Sequence, residues 1–446
     1  MNEIIKKYIN KDFDVEQVTL FFDEATDNSV LFYNLEKSEV AQNTFERRYN
    51  ECKNSPLIIT SNPSRQKYNN VFAVSDTLFM KFQYELLKDV YPIINRPKVY
   101  GITGTNGKTT VVSLIEQILN QQNKKAISIG TLGVQGCKTI DIKNNVTTPP
   151  LITFWKLMFE LQNEVNYIAV EISSHALDQN RLFGIELDNA AFTNISQDHL
   201  NYHNSMDDYF RCKLKIKDQI SKTGLLYIPY SQRELFSRID FERKKKAMIF
   251  DEQNLISSMQ IDYNLENLSL ALEMVSKEID FKKINFSKLR PPRGRLDEIQ
   301  FKNKKIFIDY AHSPGGLESV CASLKKLYKT IRLVVIFGCG GDREKSKRPL
   351  MGQAVSKFAD KIVVTSDNPR TEDPEKIIDD IIPGLSSEYV RESNRDLAIT
   401  KTILDNSDEE IILIAGKGHE EYQEIKGVKH PFSDFDVVER IINEKN

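Results

Sequence analysis

The sequence predicts an α/β protein of several domains, on three observations. First, 446 residues are too many for one hydrophobic core, because a domain averages roughly 100 to 200 residues. Second, from about residue 98, short apolar runs alternate with longer amphipathic stretches, which is typical of parallel strands joined by helices. Third, nearly every apolar run leads directly into a polar cluster with glycine or histidine. Ligands bind beyond the carboxyl ends of such strands, so we expect two ligand-bearing sheets that face each other across a cleft.

Two proline-containing breaks divide the chain into three predicted domains, at residues 1–96, 97–291 and 292–446. The breaks are Pro92–Pro97 and Arg290–Gly294, since proline interrupts both helices and sheets. The first domain should hold a short strand that starts at Val71 and a helix over Thr77–Lys88. The predicted strands of the second domain are Val99–Ile102, Tyr167–Val170 and Ala190–Thr193. Those of the third are Ile306–Asp309, Leu333–Phe337, Ile362–Thr365 and Ile411–Ala415.

The composition is that of an ordinary enzyme, with 40% hydrophobic and 28% charged residues. The net charge of -2 provides no overall basic field for nucleic acid. The short basic run Arg243–Lys246 is expected to lie in a solvated loop or helix end. The five cysteines are scattered and form no Cys-x-x-Cys pair, so they indicate neither a disulfide framework nor a zinc cluster.

No segment of the sequence predicts export or a membrane span. The N-terminal residues Met1–Lys7 are not followed by the apolar stretch of a signal peptide. No stretch approaches the roughly 18 apolar residues that cross a bilayer. The cysteine pattern fits a reducing compartment. We therefore expect a cytoplasmic protein that is not membrane-embedded.

A phosphate-binding loop is the strongest motif. It follows a predicted strand, opens a predicted helix over Val111–Leu119, and consists of Gly104, Thr105, Asn106, Gly107, Lys108, Thr109 and Thr110. Glycines let backbone N–H groups close on phosphate oxygens, and the helix N-terminus adds positive partial charge. Lys108 would reach the β- and γ-phosphates of ATP, and the Thr109 hydroxyl would bind Mg²⁺. The loop is a variant, because Ile102 stands where the common pattern has its first glycine.

Five of the six histidines follow predicted strands in polar clusters, namely His175, His199, His203, His312 and His419. Glu171 also follows a strand, and its carboxylate could hold Mg²⁺, which prefers oxygen ligands, or form a structural salt bridge. His199 is a second candidate metal ligand. Lys213 lies among other lysines, so the residues alone favour a solvated helix face for it.

The third domain carries polar motifs that predict a receptor for a zwitterionic amino acid. Arginine suits bidentate recognition of a carboxylate, and acidic and amide groups beside it would hold an ammonium. The residues assigned to this receptor are Arg343, Asp367, Asn368, Arg370, Gly416 and Glu420. Each of them could instead serve a turn or a helix cap, and Asn-Pro is a common turn signal.

Taken in order, these motifs resemble the Mur ligases of peptidoglycan synthesis, and among them the ligases that add meso-diaminopimelate. The resemblance covers about residues 98 to 436 and rests on Gly-Thr-Asn-Gly-Lys-Thr, Glu-x-Ser-Ser-His, Asp-Tyr-Ala-His-x-Pro, Gly-Gly-Asp-Arg, Asp-Asn-Pro-Arg and Gly-Lys-Gly-His-Glu. It implies a small α/β N-terminal domain that binds UDP, a central P-loop-type ATPase domain and a Rossmann-like C-terminal domain that binds the incoming amino acid. We expect a monomer whose partners are small-molecule substrates.

The resemblance also implies roles for single residues. Lys213 is implied to be carbamylated, and its carbamate helps to hold a Mg²⁺ near His199. Another Mg²⁺ is assigned to Thr109 and Glu171. Catalysis is assigned to Lys108, His199 and Lys213, and a ligand role is favoured over a base role for His199. The implied contacts of the nucleotide-sugar substrate are Thr147, Thr148, Ser173, Gln179 and Arg181. The implied ATP contacts outside the phosphate loop are Asn264, Asn267, Arg295 and His312.

The implied reaction joins the γ-carboxylate of D-Glu in UDP-N-acetylmuramoyl-L-Ala-D-Glu to an amine of meso-diaminopimelate through an acyl-phosphate. Arg370 is the feature associated with this amino acid, because it supplies a cation for the second carboxylate. Three alternatives stay open: the same reaction with L-lysine or another diamino acid, a folate- or amide-polymer ligase, and a catalytically inactive nucleotide-binding protein. The chain departs from the family pattern at Val146, where Asn is usual, and at Thr26–Ser29, where Asp-Ser-Arg is usual. No uridine contact is therefore assigned.

Overall fold

The computed structural model describes residues 15–33, 45, 48–55, 57–61, 68–143, 146–199, 202–248, 250, 254–405 and 409–445. The chain forms two compact units, of which one holds Met1–Lys246 with Leu272–Lys283 and the other Ala247–Ala271 with Ile284–Asn446. The segment Met1–Lys7, on which the expectation about export rests, lies outside the described residues. The predicted domain boundaries near residues 96 and 291 stay predictions.

The described strands are, in chain order, β1 Gln17–Thr19, β2 Ser29–Phe32, β3 Leu57–Thr60, β4 Val71–Ala73, β5 Lys98–Thr103, β6 Ala126–Gly130, β7 Gly133–Gly136, β8 Tyr167–Glu171, β9 Asn189–Phe192, β10 Leu226–Pro229, β11 Lys244–Ala247, β12 Arg295–Phe301, β13 Lys304–Asp309, β14 Arg332–Phe337, β15 Lys361–Val364, β16 Tyr389–Arg391, β17 Glu410–Ala415, β18 Tyr422–Ile425 and β19 Val428–Pro431. The described α-helices are α1 Asp76–Val90, α2 Lys108–Asn120, α3 Leu151–Leu161, α4 Ser174–Asp178, α5 Met206–Leu214, α6 Arg233–Arg238, α7 Asp262–Val275, α8 Pro314–Leu327, α9 Lys347–Ser356, α10 Pro374–Ile381, α11 Arg395–Leu404 and α12 Asp434–Lys445.

The first unit contains two sheets. The N-terminal sheet is parallel and runs in the order β1-β2-β3-β4. Every residue of β2 and β3 is buried, which is the pattern of parallel strands covered on both faces. The central sheet runs in the order β11-β10-β9-β5-β8-β6-β7, and β7 is antiparallel to β6.

Strand β5 lies in the middle of the central sheet, parallel to β8 on one side and to β9 on the other. The three strands end at Thr103, Glu171 and Phe192. Because parallel strands end at the same edge of a sheet, the loops that follow these residues lie side by side. The phosphate loop, the Glu171 segment and the segment that leads to His199 are thus gathered at one edge.

A shared hydrophobic core joins the two sheets of the first unit. Helix α1 contributes Phe79 and Leu86 to it, the N-terminal sheet contributes Phe32, and α3 contributes Trp155. The indole N–H of Trp155 also donates to the carbonyl of Tyr91 at 2.9 Å, directly after α1. Burial of these large side chains stabilises by about 2 kcal/mol each, which accounts for both sheets belonging to one unit.

The second unit is built on a six-stranded sheet in the order β12-β13-β17-β14-β15-β16. The strands from β13 to β16 are parallel, and β12 is antiparallel at one edge. Buried apolar side chains of α8 and α9 cover one face of this sheet, and those of α11 and α12 cover the other. The separate hairpin β18–β19 follows the last strand of the sheet.

The predicted α/β class is confirmed, and each predicted strand and helix is present with ends that differ by a few residues. One expectation is wrong, since the basic run at Arg243–Lys246 leads into and forms β11, at the edge of the central sheet. Lysines on an edge strand hinder pairing with another chain, which gives the run a structural role. Among the described residues, no helix has both the length and the apolar character to span a bilayer.

Candidate active site

The phosphate loop is held by residues that directly follow β9. The backbone N–H of Thr105 donates to the Asn194 carbonyl at 3.0 Å, and that of Asn106 donates to the Asn194 side chain at 3.0 Å. Thr193 Oγ1 donates to the Asn106 carbonyl at 2.6 Å. These bonds are possible because β9 lies next to β5 in the sheet. The shape of the loop therefore depends on a segment almost ninety residues away in the chain.

Two glycines define the backbone path of the loop. Gly104 has φ of 142° and Gly107 has φ of 85°, in a region that other residues adopt only with strain. A Cβ on Gly104 would overlap Thr193 Oγ1. Gly107 is the residue directly before α2, so the helix N-terminus, which favours anions, lies at the loop. This geometry suits a polyphosphate.

Two lysine side chains bind the same loop carbonyl. Lys108 Nζ donates to the Gly104 carbonyl at 3.0 Å and to the Thr105 carbonyl at 2.8 Å. Lys213 Nζ donates to the Gly104 carbonyl at 2.8 Å from α5. The sequence-based expectation of a solvated face for Lys213 is wrong, because Tyr209, one turn earlier, shares a buried face of α5 with it. Lys213 is 1% exposed.

Burial lowers the pKa of Lys213 well below its usual value, and the neighbouring Lys108 ammonium lowers it further. The neutral amine that this favours is the form that reacts with carbon dioxide to give a carbamate. The environment of Lys213 therefore fits the modification that the family resemblance implies.

The residues assigned to the nucleotide-sugar substrate are joined by hydrogen bonds. Thr148 Oγ1 accepts from the backbone N–H of Ser173 at 3.0 Å, and Arg181 Nη1 donates to the Thr148 carbonyl at 2.9 Å. Arg181 Nε donates to Gln179 Oε1 at 2.9 Å. Thr148 is fully buried, so its side chain anchors this segment, whereas Gln179 is exposed and Thr147 is half-buried. The structure thus brings all five assigned residues to the start of α3 and the ends of α4.

Glu171 is a buried carboxylate at the end of β8, with 1% exposure. Its Oε1 accepts from the backbone N–H of Thr131 at 2.9 Å, directly after β6. A Cβ on Gly130 would overlap the same carboxylate, so the chain leaves room for it there. The Thr131 hydroxyl donates to Oε2 at 3.5 Å. The choice between a metal ligand and a structural salt bridge for Glu171 stays a prediction.

His199 lies in a cluster of aromatic rings near the phosphate loop. Its ring centroid is 5.1 Å from that of His175, and that of His203 is 5.1 Å from that of Tyr209. Partial burial lowers the pKa of His199 to about 4, although the neighbouring Asp198 carboxylate opposes the shift. The imidazole is therefore neutral at pH 7, which is the form that binds a metal. Among the described residues, the buried Nε2 of His203 has no hydrogen-bond partner.

A metal ion in this region would need mixed ligands. Within the part of the chain that the structure describes, no three histidine, cysteine or carboxylate side chains converge into a metal cluster. The hydroxyl of Thr109, in the first turn of α2, and the Glu171 carboxylate are oxygen donors of the kind that Mg²⁺ prefers. The donor chemistry fits the ion, and the assignment of ligands stays a prediction.

The remaining residues assigned to ATP belong to the second unit. Asn264 and Asn267 are buried on α7, three positions apart and thus on one face. The Asn264 amide donates to the Ser258 carbonyl at 2.7 Å. The guanidinium of Arg295 lies 4.4 Å from the ring centroid of Tyr310, and His312 Nδ1 lies 2.8 Å from the Tyr310 carbonyl.

Tyr310 lies at the centre of a second cluster of rings. The sequence did not indicate this role, although Tyr310 is part of the Asp-Tyr-Ala-His motif. Its ring centroid is 4.7 Å from that of His312 and 5.2 Å from that of His419. Among the described residues, the buried Nε of Arg295 and Nδ1 of His419 have no hydrogen-bond partner. Burial lowers the pKa of His419 to about 4, so its ring is neutral at pH 7. Two polar atoms left without partners are what a nucleotide site would offer.

The amino-acid motifs of the second unit form a continuous polar network. Asn368 Nδ2 donates to Glu420 Oε2 at 2.8 Å, and Lys417 Nζ lies 3.0 Å from the same oxygen. Lys417 is fully buried, and it also donates to Asn368 Oδ1 at 3.2 Å. Sequence reasoning missed Lys417, although it stands in the Gly-Lys-Gly-His-Glu motif. Its cation neutralises the carboxylate that was expected to hold an ammonium, and it fixes the amide beside it.

Arg370 is held in a strained backbone conformation with φ of 52°. Its Nη1 donates to the Gly341 carbonyl at 2.8 Å, and its Nε lies 3.3 Å from Glu424 Oε2. Such strain persists only where the surroundings impose it, and it is common at functional sites. Arg343 lies near Gly340 in the loop that follows β14, and its side chain is exposed. No ion-pair partner of Arg343 is identified among the described residues, so its guanidinium is accessible to a ligand.

A buried ion pair lies next to the loops that begin at Asp367 and Gly416. Arg395 and Asp434 are both fully buried, with Nε to Oδ1 at 2.7 Å and Nη2 to Oδ2 at 2.8 Å. Arg395 Nη2 also donates to the Ala415 carbonyl at 3.0 Å, directly before Gly416. Gly416 has φ of 115°, and a Cβ there would lie 2.6 Å from Asp367 Oδ2. The pair therefore fixes the strand end from which the Gly416 loop leaves.

Comparison with protein families and curated proteins gives consistent matches. Residues 102–287 match the family described as Mur ligase middle domain, and residues 294–418 match the one described as Mur ligase, glutamate ligase domain. UDP-N-acetylmuramoyl-L-alanyl-D-glutamate--2,6-diaminopimelate ligase of Aquifex aeolicus is 35% identical, over 92% of this chain and 90% of that protein. The ligase of the same name from Rickettsia prowazekii is 34% identical, over 100% of this chain and 98% of that protein.

Solved structures show the same fold. One of UDP-N-acetylmuramoyl-L-alanyl-D-glutamate--2,6-diaminopimelate ligase aligns with a TM-score of 0.64 at 24% identity, covering 99% of both chains. A MurF ligase from Thermotoga maritima in complex with ADP aligns with a TM-score of 0.60 at 12% identity, covering 98% of this chain and 99% of that one. On the strength of the sequence matches over nearly its whole length, the chain belongs to the Mur ligase family.

Proposed function

We propose that this protein is an ATP-dependent ligase that adds meso-2,6-diaminopimelate to the γ-carboxylate of D-Glu in UDP-N-acetylmuramoyl-L-Ala-D-Glu. The observation that carries the proposal is the coexistence of a complete phosphate loop on the central sheet and the Arg370 loop in the second unit. The similarity to the diaminopimelate ligase of Aquifex aeolicus supports the same substrate.

The first step makes the D-Glu carboxylate reactive. A carboxylate is a poor electrophile, and transfer of a phosphoryl group from ATP gives it a leaving group. Two anions must approach each other, so catalysis depends on positioning and on neutralising charge. Lys108 and the N-terminus of α2 supply positive charge at the loop. Bound Mg²⁺, held by Thr109, Glu171, His199 and carbamylated Lys213 in this proposal, would neutralise further phosphate charge.

The second step forms the amide. An uncharged amine of the amino acid attacks the acyl-phosphate, and the tetrahedral intermediate collapses to amide and phosphate. Water must be kept from the acyl-phosphate, since hydrolysis would waste ATP. The nucleotide-sugar substrate would be held by the five residues assigned to it above, among them Thr148 and Arg181. The ATP site would be lined by the rings around Tyr310 together with Asn264 and Asn267.

The selection of diaminopimelate rests on Arg370. Diaminopimelate carries a second carboxylate at the end where lysine has none, and a guanidinium in a partly buried loop pairs with it. A site built to pair a polar group discriminates strongly against an analogue that lacks the group. Asp367, Asn368, Gly416 and Glu420 would contact the ammonium of the same end, with Glu420 sharing its charge between this ammonium and Lys417. Arg343 is assigned to the same site.

The three-domain division at residues 96 and 291, the monomeric state and the cytoplasmic location belong to the same proposal. Each is the expectation drawn from the sequence. Size-exclusion chromatography with light scattering measures the monomer directly.

The deciding experiment is a ligation assay with the purified full chain, ATP, Mg²⁺ and UDP-N-acetylmuramoyl-L-Ala-D-Glu. Each of meso-diaminopimelate, L-lysine and L-glutamate is added separately, and phosphate release and product mass are measured. The proposal requires a product of the expected mass with diaminopimelate. If a product forms with lysine but not with diaminopimelate, the protein is still a ligase of this kind, and the assignment of diaminopimelate as its substrate is wrong. Absence of phosphate release with every amino acid would favour the inactive nucleotide-binding alternative.

A further inference from the structure

Hairpin β18–β19 supports the loop that carries the Asp-Asn-Pro-Arg motif. Gln423 Nε2 donates to the Asp367 carbonyl at 2.7 Å. The backbone N–H of Arg370 donates to the Glu424 carbonyl at 2.9 Å, and that of Lys426 donates to the Arg370 carbonyl at 2.6 Å. The two backbone contacts of Arg370 do not involve the Glu424 side chain, so they survive its substitution.

The Glu424 side chain makes a separate contact. Its Oε2 lies 3.3 Å from Arg370 Nε, and the two side chains are 25% and 22% exposed. The contact is an ion pair within the protein at the cation that the proposed function assigns to the second carboxylate of the substrate. Glu424 is thus a carboxylate of the chain itself beside the position where a substrate carboxylate would bind.

We propose that Glu424 is a specificity-determining residue that weakens the preference for diaminopimelate over lysine. This inference rests on the proposed function. Glu424 acts as an internal counter-ion, which balances the charge of Arg370 when the bound amino acid has no second carboxylate. It opposes diaminopimelate, because two carboxylates then share one guanidinium.

The charge balance gives the direction of the effect. With lysine bound, Arg370 keeps Glu424 as a partner, and no partly buried cation is left unpaired. With diaminopimelate bound, the substrate carboxylate gains Arg370 but meets the negative charge of Glu424. Removal of the Glu424 charge therefore favours diaminopimelate, and it leaves Arg370 unpaired beside lysine, which is costly in a partly buried site.

The guanidinium should keep its position when Glu424 is changed. Arg370 Nη1 donates to the Gly341 carbonyl at 2.8 Å, and the backbone N–H and carbonyl of Arg370 are both bonded to backbone groups of the hairpin, in β18 and in the turn that follows it. If Glu424 instead served to orient Arg370, removal of its charge would lower the preference for diaminopimelate. The two roles thus predict changes of opposite sign.

The test compares kcat/KM for meso-diaminopimelate and for L-lysine in the wild type, Glu424→Gln and Glu424→Asp. The ratio of the two values should rise at least about fivefold in Glu424→Gln, the effect of a partly exposed ion pair. Glu424→Asp keeps the charge, so its ratio should stay closer to that of the wild type. Glu421→Gln removes an equal charge from an exposed position three residues away and should leave the ratio unchanged. The KM for ATP, equal in all four proteins, reports correct folding.

A ratio that is unchanged or lower in Glu424→Gln, with a wild type that ligates diaminopimelate, overturns this inference alone. A rise of the same size in Glu421→Gln also overturns it, because a general charge effect would then suffice. A wild type that ligates neither amino acid overturns the proposed function, and this result is visible before any variant is compared.

Discussion

Lys213 Nζ lies 2.8 Å from the carbonyl oxygen of Gly104, so a side chain of α5 is bonded to the first glycine of the phosphate loop. The bond spans 109 positions of the chain and is fully buried. Lys108 binds the same carbonyl from within the loop. The loop and Lys213 therefore form one structural element, although the sequence separates them.

Substitution of Lys213 by Met should lower kcat for phosphate release by about 100-fold, the upper range for loss of a residue that supports a metal site. Methionine has a similar length and cannot form a carbamate. Lys215→Met, on an exposed neighbour in the same segment, is the matched control and should keep wild-type activity. Removal of bicarbonate and carbon dioxide should lower the activity of the wild type and leave that of Lys213→Met unchanged. Full activity in Lys213→Met would refute its assigned role.

Lys108→Ala should abolish ligation, because it removes the only ammonium assigned to the β- and γ-phosphates. The variant also loses the bonds from Nζ to the carbonyls of Gly104 and Thr105, so folding is checked by circular dichroism. The measurement is phosphate release with the nucleotide-sugar substrate and diaminopimelate. Turnover near that of the wild type would contradict the assignment of the ATP site.

The sequence predicted the strand ends and their loops because both depend on local patterns. The apolar runs at β5, β8 and β9 and the glycines of the phosphate loop are visible in a single sequence. Lys213 was expected on a solvated face, since periodicity in a short helix rich in lysine does not reveal which face packs against a distant loop. The family resemblance instead implied a carbamylated lysine that helps to hold Mg²⁺, and the buried position of Lys213 beside the phosphate loop fits that role.

Other site features depend on contacts between segments far apart in the chain, and no local pattern reports them. Lys417 stands inside a recognised motif, yet only the fold shows that it is buried between Asn368 and Glu420. The pairing of Arg370 with Glu424 joins residues 54 positions apart by their numbers. The basic run at β11 was expected in a loop or helix end because runs of charge are usually solvated, and an edge strand also leaves lysine side chains in contact with solvent.

Arg370→Ala should remove the selection between diaminopimelate and lysine. The second carboxylate of diaminopimelate would lose its cation and meet Glu424 alone, so kcat/KM for this amino acid should fall at least about 100-fold, while that for lysine should change far less. The measurement is the ratio of kcat/KM for the two amino acids. An unchanged ratio would refute the role of Arg370.

Glu372→Gln should lower the free energy of unfolding at pH 7 by about 1 to 3 kcal/mol, the usual range for a hydrogen bond to a charged group. Glu372 accepts from Arg348 Nη2 at 2.8 Å and from Nη1 at 3.0 Å. These bonds lower the pKa of Glu372 from 4.5 to about 2. A carboxylate whose pKa is lower in the folded than in the unfolded protein stabilises the fold fully at pH values above its unfolded pKa. This stabilisation is lost as the pH falls through its folded pKa.

The difference in stability between the wild type and Glu372→Gln should therefore shrink between pH 4.5 and pH 2. Urea unfolding followed by circular dichroism at several pH values measures it. Glu375→Gln, on a more exposed carboxylate at the start of α10, is the comparison variant. A difference that stays constant over this pH range would show that the charge of Glu372 is not the cause.

Asp434→Asn should be the most destabilising of these substitutions, by about 3 to 5 kcal/mol, because it leaves the guanidinium of Arg395 buried without a counter-ion. Asp436→Asn removes the same charge from an exposed position in the same turn of α12 and should cost well under 1 kcal/mol. Urea unfolding measures both.

Because Arg395 also holds the Ala415 carbonyl, the KM for the amino acid should rise in Asp434→Asn, while the KM for ATP stays constant. Replacement of both partners, Arg395→Met with Asp434→Leu, should recover stability but not the low KM, since an apolar pair can fill the space but cannot hold the carbonyl. Recovery of both properties would mean that the ion pair stabilises the fold without positioning the loop.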